Sequence, residues 1–368
     1  MRIVGCSDTV VSLVAEPSDR ARARVDVHAL RLRDGCVCPE CRRPTSNERL
    51  VPWADLPPDL TIRSAEIIDG VIEVETSDGH RSSVPLVDLV ESEVGARPGA
   101  VDGPVSEGRP TVRRVGAGEV ETDAGVVTVV DALFRDGAVL IDGVGTDEAS
   151  LAAIASRLGV VQPTNYGATW EIEATIRPVT AVDSERDLAV HTDLPYRTHP
   201  PSVQLLLACV VDVAGGATTL ADGFAAAERL RVEDPDAWGL LTQTELSFPF
   251  VRDDVAIGGR APTISLDTAG RYSIVRRAPD LVGSPSVDAE RAPEVYAALR
   301  RWDEILDDPD RHAVVPLGPG ELLVFDNHRM LHGRTAFRLG SAGRRRLIGC
   351  YLDRDDLRST RSLAAVRS

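Results

Sequence analysis

Two segments far apart in the chain carry side chains that suit one metal ion: His191-Thr-Asp193 and Leu331-His332-Gly-Arg334. On an extended strand, residues i and i+2 point to the same face, so His191 and Asp193 can bind the same ion. His332 is the best candidate for the third ligand. A His-x-Asp pair alone often arises by chance, but a distal histidine followed by an arginine-rich strand makes the pattern specific. The chain must therefore fold so that these two segments meet.

Two histidines and one carboxylate leave open coordination positions on the metal, which is the arrangement expected of non-haem Fe(II) oxygenases. A second histidine competes for the third position, because His328 directly follows the apolar strand Glu321-Leu-Leu-Val-Phe325. We predict that His328, like His199 and His312, is a hydrogen-bonded loop residue. His332 is then the metal ligand.

Three arginines, Arg344, Arg345 and Arg346, begin the strand that follows. Arg345 faces opposite to its two neighbours, although the apolar residues after it do not settle which face is inward. A buried arginine needs an anion, and a guanidinium matches a carboxylate bidentately. Arg345 could therefore hold the distal carboxylate of a dicarboxylate that chelates the metal. A solvated basic patch explains the other two arginines.

A second cluster of ligand-type residues is Cys36-Val-Cys38-Pro-Glu-Cys41, followed after a Ser77-Asp-Gly79 turn by His80. Three thiols and one imidazole could form a tetrahedral zinc site. His28 is the rival fourth ligand, and a set of reduced thiols on a loop is the alternative to a metal. Clustered cysteines suit a metal in a reducing cytoplasm better than a disulfide framework.

The composition narrows the possible partners and locations. A formal charge of −16 argues against nucleic acid or an anionic membrane as the main partner. The first twenty residues mix charges into short apolar stretches, so neither a signal peptide nor a membrane span is expected. We therefore expect a cytoplasmic protein without nucleic-acid or membrane partners.

The apolar patterns predict a small N-terminal zinc-binding domain over residues 1–95, a linker over 96–120 and a larger domain over 121–368. In the first domain we predict strands at Arg24–Arg33 and Ile67–Glu75. The larger domain is mainly β with flanking helices. Its predicted strands are Thr169–Ile176, Ser202–Val213, Ala217–Leu220, Ser273–Val275 and Glu321–Phe325, and its predicted helices are Val126–Phe134, Ala149–Leu158, Gly223–Arg231 and Pro293–Leu306. Metal ligands near strand ends suggest a double-stranded jelly-roll barrel.

Several stretches together resemble the gamma-butyrobetaine dioxygenase-like branch of the taurine dioxygenase family of Fe(II)/2-oxoglutarate oxygenases. They run in the family's order through most of the chain. The matching stretches are Leu32-Arg-Asp-Gly-Cys36-Val-Cys38-Pro-Glu-Cys41, Asp78-Gly-His80, Tyr166-Gly-Ala-Thr-Trp170, His191-Thr-Asp193, Pro200-Pro-Ser-Val-Gln-Leu-Leu206, Gly215-Gly-Ala-Thr-Thr-Leu-Ala-Asp-Gly223, Phe325-Asp-Asn, Leu331-His-Gly-Arg334 and Arg345-Arg-Leu-Ile-Gly-Cys-Tyr351.

The resemblance implies an enzyme that uses Fe(II), 2-oxoglutarate, O2 and a structural zinc ion. The implied iron ligands are His191, Asp193 and His332, and the implied zinc ligands are Cys36, Cys38, Cys41 and His80. It places Arg345 on the 2-oxoglutarate carboxylate, with Thr218 as a second contact. Related halogenases have a small residue in place of the metal carboxylate, so the presence of Asp193 favours hydroxylation. A symmetric homodimer is the default among relatives.

The substrate positions match the family less well. Tyr166 and Trp170 match two members of an aromatic cage for a trimethylammonium group, where cation–π attraction operates. Asp183 and Leu194 stand where relatives have further aromatics, and Arg276-Arg277 stands where relatives present asparagines.

We therefore expect a small polar, zwitterionic substrate that resembles a betaine, an amino acid or a phosphonate. Desaturation or cyclisation in a biosynthetic pathway is the alternative outcome on the same scaffold. A non-catalytic, zinc-stabilised binding protein is the alternative to an enzyme. For Arg276 and Arg277, the alternative to a substrate contact is a place on a solvated edge.

Overall fold

The computed structural model describes residues 1–14, 24–89, 108–173, 185–252, 254–338 and 343–368. The chain divides into two compact units, Met1–Ala100 and Val101–Ser368. Within the described ranges, no helix has both the length and the apolar composition needed to cross a membrane.

The N-terminal unit contains two three-stranded antiparallel sheets. The first has β1 (Arg2–Cys6), β2 (Val10–Val14) and β3 (Arg24–His28), and the second has β4 (Ile62–Ile68), β5 (Val71–Thr76) and β6 (Arg81–Pro85). A short helix, α1 (Ala29–Asp34), follows β3, and a single 3-10 turn spans Trp53–Asp55. Alternate residues of the strands bury one shared core, which includes Val11, Val27, Leu32, Ile72 and Val84.

Two strand predictions for this unit were wrong in extent. The strand predicted at Arg24–Arg33 ends at His28, whose Nδ1 accepts a hydrogen bond from the Leu30 amide at 3.2 Å and caps α1. The strand predicted at Ile67–Glu75 is a hairpin, because Asp69 and Gly70 adopt positive φ angles of 48° and 80°. Asp-Gly is a strong turn signal that the apolar pattern concealed.

The C-terminal unit is built around two sheets that face each other. The larger sheet has, in spatial order, β7 (Arg113–Gly116), β8 (Ala138–Asp142), β19 (Leu322–Asp326), β11 (Val203–Val211), β22 (Arg345–Leu352) and β9 (Thr169–Glu173). The smaller sheet has β10 (Leu188–His191), β20 (Met330–Arg334), β13 (Thr218–Asp222) and β18 (Ala313–Val315). Three two-stranded pairs complete the described strands: β12 (Ala214–Gly215) with β21 (Phe337–Arg338), β14 (Glu245–Arg252) with β15 (Val255–Pro262), and β16 (Ile264–Leu266) with β17 (Tyr272–Val275).

Helices cover the outer face of each sheet. Against the larger sheet lie α2 (Ala117–Val120), α3 (Asp123–Asp136), α4 (Glu148–Leu158) and α8 (Arg354–Arg367). Against the smaller sheet lie α5 (Gly223–Glu233), α6 (Pro235–Gln243) and α7 (Ala292–Leu306). The inner faces share a core to which both sheets contribute, for example through Leu206, Phe325 and Leu347 from one and Leu220 and Met330 from the other. This is the predicted mainly β, jelly-roll architecture with flanking helices.

Three features of this unit differ from the sequence prediction. The predicted linker over 96–120 is too long, because Arg113–Gly116 pairs in parallel with β8 and Ala117–Val120 is helical. Helix α6 was not predicted, although Asp234 caps it and Pro235 occupies its first turn, a common start signal. The hairpin of β14 and β15 was also missed. Strand β9 ends at Glu173, and residues 174–184 lie outside the described residues.

Gly349, on the inner face of β22, has no room for a side chain. A Cβ atom there would lie 2.3 Å from the Trp170 ring and 2.8 Å from the Leu205 carbonyl oxygen. We expect Gly349→Ala to lower the free energy of unfolding by about 1–3 kcal/mol, because the core is close-packed at this point. Urea denaturation would measure the change.

Gly239→Ala is the matched control, because nothing lies within 4 Å of the added methyl in helix α6. Alanine has the higher helix propensity, so this variant should be neutral or more stable by up to about 1 kcal/mol. Equal destabilisation by the two substitutions would contradict the packing argument at Gly349.

Candidate active site

The three predicted metal ligands come together at the edge of the smaller sheet. Strands β10 and β20 are antiparallel neighbours in which His191 lies directly opposite His332. Asp193 follows β10, and its Oδ1 lies 3.4 Å from His191 Nε2 and 3.7 Å from His332 Nε2. The three ligand atoms lie within 4.8 Å of one another, so a single ion could contact all three.

Hydrogen bonds orient two of these ligands. The Ala189 carbonyl lies 3.0 Å from His191 Nδ1, which places the proton on Nδ1 and leaves Nε2 facing Asp193. The Tyr351 hydroxyl donates to Asp193 Oδ2 at 2.7 Å. The Asp193 amide donates to Asn327 Oδ1 at 2.9 Å. The site is therefore preorganised by groups beyond the ligands themselves.

The charges in the cluster suit a cation. Burial alone would raise the pKa of Asp193, but His332, His191 and the Tyr351 hydroxyl outweigh it and hold the pKa of that carboxyl well below its usual range. Burial and the neighbouring His191 lower the pKa of His332 to about 3. Asp193 raises the pKa of His191 against the opposing effect of burial. The shifts at Asp193 and His332 favour the carboxylate and the neutral imidazole, which are the forms that bind metals. The shift at His191 goes the other way, so a bound cation would have to outweigh the effect of Asp193 on that imidazole.

The ligand atoms of His191, Asp193 and His332 are of the types that bind Fe(II). Two imidazole nitrogens and one carboxylate oxygen, gathered on one side, are a recognised Fe(II) ligand set that leaves positions for other molecules. The site is also shielded from solvent, since His332 is only 8% exposed. The predicted alternative, His328, instead lies with its Nε2 2.7 Å from the Pro200 carbonyl oxygen. It is a hydrogen-bonded residue, as the sequence suggested.

The arginine run alternates as predicted. Arg345 is buried on the inner face, whereas Arg344 and Arg346 form outward ion pairs with Glu173 and Glu171. Within the described ranges Arg345 has no carboxylate partner, and its one hydrogen bond, to the Gly216 carbonyl, is 3.4 Å long. Burial, with help from the neighbouring Arg334, lowers the pKa of Arg345 to about 10. A buried guanidinium without a counter-ion is a strong anion site.

Thr218 lies near the same end of the barrel. It is buried at the start of β13, two residues before the inner-facing Leu220, so it points to the same interior. Gly216, whose carbonyl accepts from Arg345, precedes it in the chain. The structure thus brings the two predicted cosubstrate residues to the inner side of the barrel.

The predicted substrate residues divide into two groups. Trp170 packs with its ring 5.6 Å from the Tyr351 ring, and buried Leu194 belongs to the same apolar cluster as Tyr351. Leu194 has a φ of 53°, an unusual conformation for a residue directly after a metal ligand. Tyr166 is farther out, since its ring contacts Phe250 and it is 39% exposed. Asp183 lies outside the described residues.

Arg276 and Arg277 are both buried, so the alternative that they lie on a solvated edge is wrong. All three guanidinium nitrogens of Arg277 bond to protein atoms, namely to Asp303, Asp307 and the Val190 carbonyl. Arg277 therefore has a structural role, which contradicts its prediction as a substrate contact. Among the described residues, the Arg276 guanidinium donates only to the Thr198 carbonyl at 2.9 Å and Ser265 Oγ at 3.1 Å.

The second cluster, in the N-terminal unit, has the dimensions of a zinc site. His80 Nε2 lies 3.4, 3.7 and 3.4 Å from the sulfurs of Cys36, Cys38 and Cys41. Zinc–sulfur and zinc–nitrogen bonds of about 2.3 and 2.0 Å, at tetrahedral angles, require a separation of about 3.5 Å. His28 caps α1 instead of joining the cluster.

An arginine supports this cluster. Arg33 is buried, donates from NH1 to Cys41 Sγ at 3.1 Å, and is held by Asp78 at 2.9 Å. Burial and the neighbouring Cys36 raise the pKa of Cys41 to about 11, although Arg33 opposes the rise. Three adjacent thiolates repel one another, so a bound cation and the Arg33 charge are the groups that would stabilise them.

Two residues of the iron site were not identified as contacts from the sequence. Tyr351 lies six positions after Arg345 on the same strand, so strand parity alone could have shown that the two share a face. Asn327 accepts from the Asp193 amide and donates to the Pro201 carbonyl. Its role depends on a long-range contact, for which the sequence carries no local signal.

The fold and the site together define a non-haem iron dioxygenase. The chain matches the Taurine catabolism dioxygenase TauD, TfdA family over residues 111–351, and it belongs to that family. It is 33% identical over 344 residues to the gamma-butyrobetaine dioxygenase of Pseudomonas sp. strain AK-1, covering 90% of this chain and 88% of the relative.

Two further comparisons agree. A trimethyllysine dioxygenase of Meyerozyma guilliermondii is 27% identical, with 91% of this chain and 89% of the relative covered. The solved structure of AAD-2 in complex with Mn(II) and N-oxalylglycine superposes with a TM-score of 0.52 at 16% identity, covering 67% of this chain and 96% of that one. The structural likeness supports the jelly-roll fold.

Substitution of the carboxylate ligand tests the metal assignment. We expect Asp193→Ala to lose Fe(II) binding and turnover, because two imidazoles alone hold the ion weakly. Isothermal titration with Mn(II) under nitrogen would measure binding, and circular dichroism would verify the fold. The control is Asp187→Ala, which removes a carboxylate that accepts a hydrogen bond from the Ala336 amide and is not among the three ligands. Undiminished hydroxylation by Asp193→Ala with added Fe(II) would refute the assignment.

Proposed function

We propose that the enzyme hydroxylates an unactivated C–H bond of a small, zwitterionic substrate. The balanced reaction is substrate C–H plus 2-oxoglutarate plus O2, giving the alcohol, succinate and CO2. One oxygen atom enters the alcohol and the other enters succinate. Two features of the inner face together carry this proposal. One is the three-residue ligand cluster, and the other is Arg345, a buried cation that has no carboxylate partner among the described residues.

The proposed mechanism assigns distinct tasks to the protein. Fe(II), held by His191, Asp193 and His332, supplies the activation of O2 when bound. Arg345 binds the distal carboxylate of 2-oxoglutarate and Thr218 provides a second contact. The Tyr351 hydroxyl fixes Asp193 through Oδ2, which keeps Oδ1 towards the two histidines. Inner-face residues such as Leu206 and Leu347 exclude water from the reacting groups.

The substrate proposal rests on the cluster beside the metal ligands. Trp170 and Tyr351 offer aromatic faces to an ammonium group. The relatives are named for gamma-butyrobetaine and trimethyllysine, which supports a quaternary ammonium group as one end of the substrate. Arg276 remains the candidate for the anionic end, and a phosphonate or carboxylate would suit it.

A substrate screen tests the proposal directly. Betaines, amino acids and aminophosphonates would be incubated with enzyme, Fe(II), 2-oxoglutarate and O2, and both succinate and the product would be quantified. We expect one class to give an alcohol in equal amount to succinate. A product two hydrogens lighter than the substrate would instead indicate desaturation or cyclisation. Absence of substrate-dependent succinate across all three classes would contradict the proposed substrate class.

The cosubstrate role of Arg345 gives a paired prediction. Arg345→Ala should raise the Michaelis constant for 2-oxoglutarate by orders of magnitude, because a charge-assisted contact contributes about 2–5 kcal/mol. Arg344→Ala should change it little, since Arg344 lies outside and pairs with Glu173. Initial rates over a range of 2-oxoglutarate concentrations would measure both variants. Similar effects of the two substitutions would remove the basis for the inward assignment.

We also propose that Cys36, Cys38, Cys41 and His80 bind a structural zinc ion. The sulfur–nitrogen separations of 3.4–3.7 Å support this assignment. Reduced thiolate ligands favour a cytoplasmic location, and a homodimer is the proposed assembly.

The zinc proposal predicts a metal content and a stability effect. Elemental analysis should find about one zinc per chain in addition to iron. Cys38→Ser should destabilise the N-terminal unit first, because metal binding contributes to its folding. Limited proteolysis would locate the loosened region, and Cys6→Ser, at an exposed cysteine outside the cluster, is the control. A stable wild-type protein without zinc would show that the cluster is a set of ordinary thiols.

A further inference from the structure

One buried glutamine on the inner face of the larger sheet has a side-chain oxygen with no hydrogen-bond partner among the described residues. Gln204 is 1% exposed, and its Oε1 has no partner within the described part of the chain. It lies on β11, a central strand, where a polar side chain facing the core is costly unless it is satisfied. An apolar residue would suit an ordinary core position better.

The strand register places this side chain in the barrel interior. Gln204 precedes Leu206 by two residues, and Leu206 and Ala208 belong to the inner core. The alternate residues Val203, Leu205 and Leu207 instead contribute to the outer core under the helices. Gln204 therefore faces the smaller sheet, which carries the two histidine ligands.

Its two cross-strand neighbours both contact the metal site. Gln204 lies opposite Tyr351 on β22 and opposite Phe325 on β19. The Tyr351 hydroxyl bonds Asp193 at 2.7 Å, and the Phe325 ring lies 4.8 Å from the His332 ring. Directly opposite residues have Cβ atoms about 5 Å apart. Gln204 thus lies between two side chains that touch metal ligands.

The same ladder leads from Gln204 to the proposed anion site. Farther along β11, Val211 lies opposite Arg345. The inner-facing residues between the two ends, Leu206 and Leu347, are apolar. Gln204 therefore lies towards the metal end of this inner face, and Arg345 lies towards its other end.

We propose that Gln204 is a cosubstrate-positioning residue, whose side-chain amide donates a hydrogen bond to the keto-acid carboxylate of 2-oxoglutarate at the metal end. This inference rests on the proposed function. The amide can turn so that either its nitrogen or its oxygen faces the ligand. Because a carboxylate can only accept, the amide must turn so that its nitrogen takes the buried position that Oε1 occupies. The nitrogen can then donate to the keto-acid carboxylate.

Two measurements separate this role from a structural one. The first is thermal unfolding of the metal-free protein, and the second is the Kd of N-oxalylglycine, a non-reacting analogue of 2-oxoglutarate, in the presence of Mn(II). Gln204→Met preserves length but removes the amide. It should leave the melting temperature unchanged or higher, because it removes a buried group that lacks a partner. It should raise the Kd roughly tenfold or more, as expected for a lost hydrogen bond to a charged group.

Gln204→Glu is the second variant. It has the same shape but places a negative charge beside the carboxylate, so its Kd should rise more than that of Gln204→Met. Gln162→Met is the matched control. Gln162 also has a buried Oε1 with no partner in the described part of the chain, but it lies outside the strands of the larger sheet. It should leave the Kd unchanged.

Three outcomes would overturn the role of Gln204. An unchanged Kd in Gln204→Met would show that the amide does not contact the keto acid. Tighter binding by Gln204→Glu would mean that the residue accepts a hydrogen bond from another ligand. Failure of the wild-type protein with Mn(II) to bind N-oxalylglycine would overturn the proposed cosubstrate itself, and the role of Gln204 with it.

Discussion

The pairing of β10 with β20 is the constraint on which the metal site depends. It sets His191 opposite His332, and a slip of one residue would turn one imidazole towards the helices. Both faces of the central strands β20 and β13 are buried, so the register is strongly specified. The outward neighbours Val190 and Leu331 pack with α5, α6 and α7 in one apolar core. That apolar packing, rather than any metal, fixes the inward direction of both histidines.

The buried arginines differ in whether a carboxylate neutralises them. Arg277 is neutralised by Asp303 and Asp307, and Arg329 by Asp222 at 2.6 Å. In the N-terminal unit, Arg33 has Asp78 and the Cys41 sulfur. Arg345 is equally buried but meets no carboxylate within the described ranges. Arg276 likewise has only neutral partners among the described residues. An uncompensated buried charge is costly, so these two arginines are the candidate anion sites, and Arg345 is the one proposed for 2-oxoglutarate.

The ligands and the fold class could be predicted from the sequence because they depend on residue type and local parity. His191, Asp193 and the Cys3His set are chemically distinctive, and Arg345 is separated from its neighbours by strand alternation alone. The distinction between Arg276 and Arg277 could not be predicted, because the acids that neutralise Arg277 lie 26 and 30 residues farther along the chain, at the C-terminal end of α7. The cap at His28 and the turn at Asp69-Gly70 have local signals, but each lies inside an apolar pattern that by itself predicts a continuous strand.

The two sheets contribute different residues to the site, and this difference bears on substrate specificity. The smaller sheet carries the metal ligands, while the larger sheet presents Tyr351, Gln204 and Arg345 from long strands buried on both faces. Such strands hold side chains rigidly, which suits a cosubstrate that is the same in every turnover. The residues beside Asp193 are different, since Leu194 follows it in a strained left-handed conformation and leads into an irregular segment. Loops can change without disturbing the sheet register. We therefore propose that selection of the substrate depends on this segment and on Arg276, which donates to the Thr198 carbonyl.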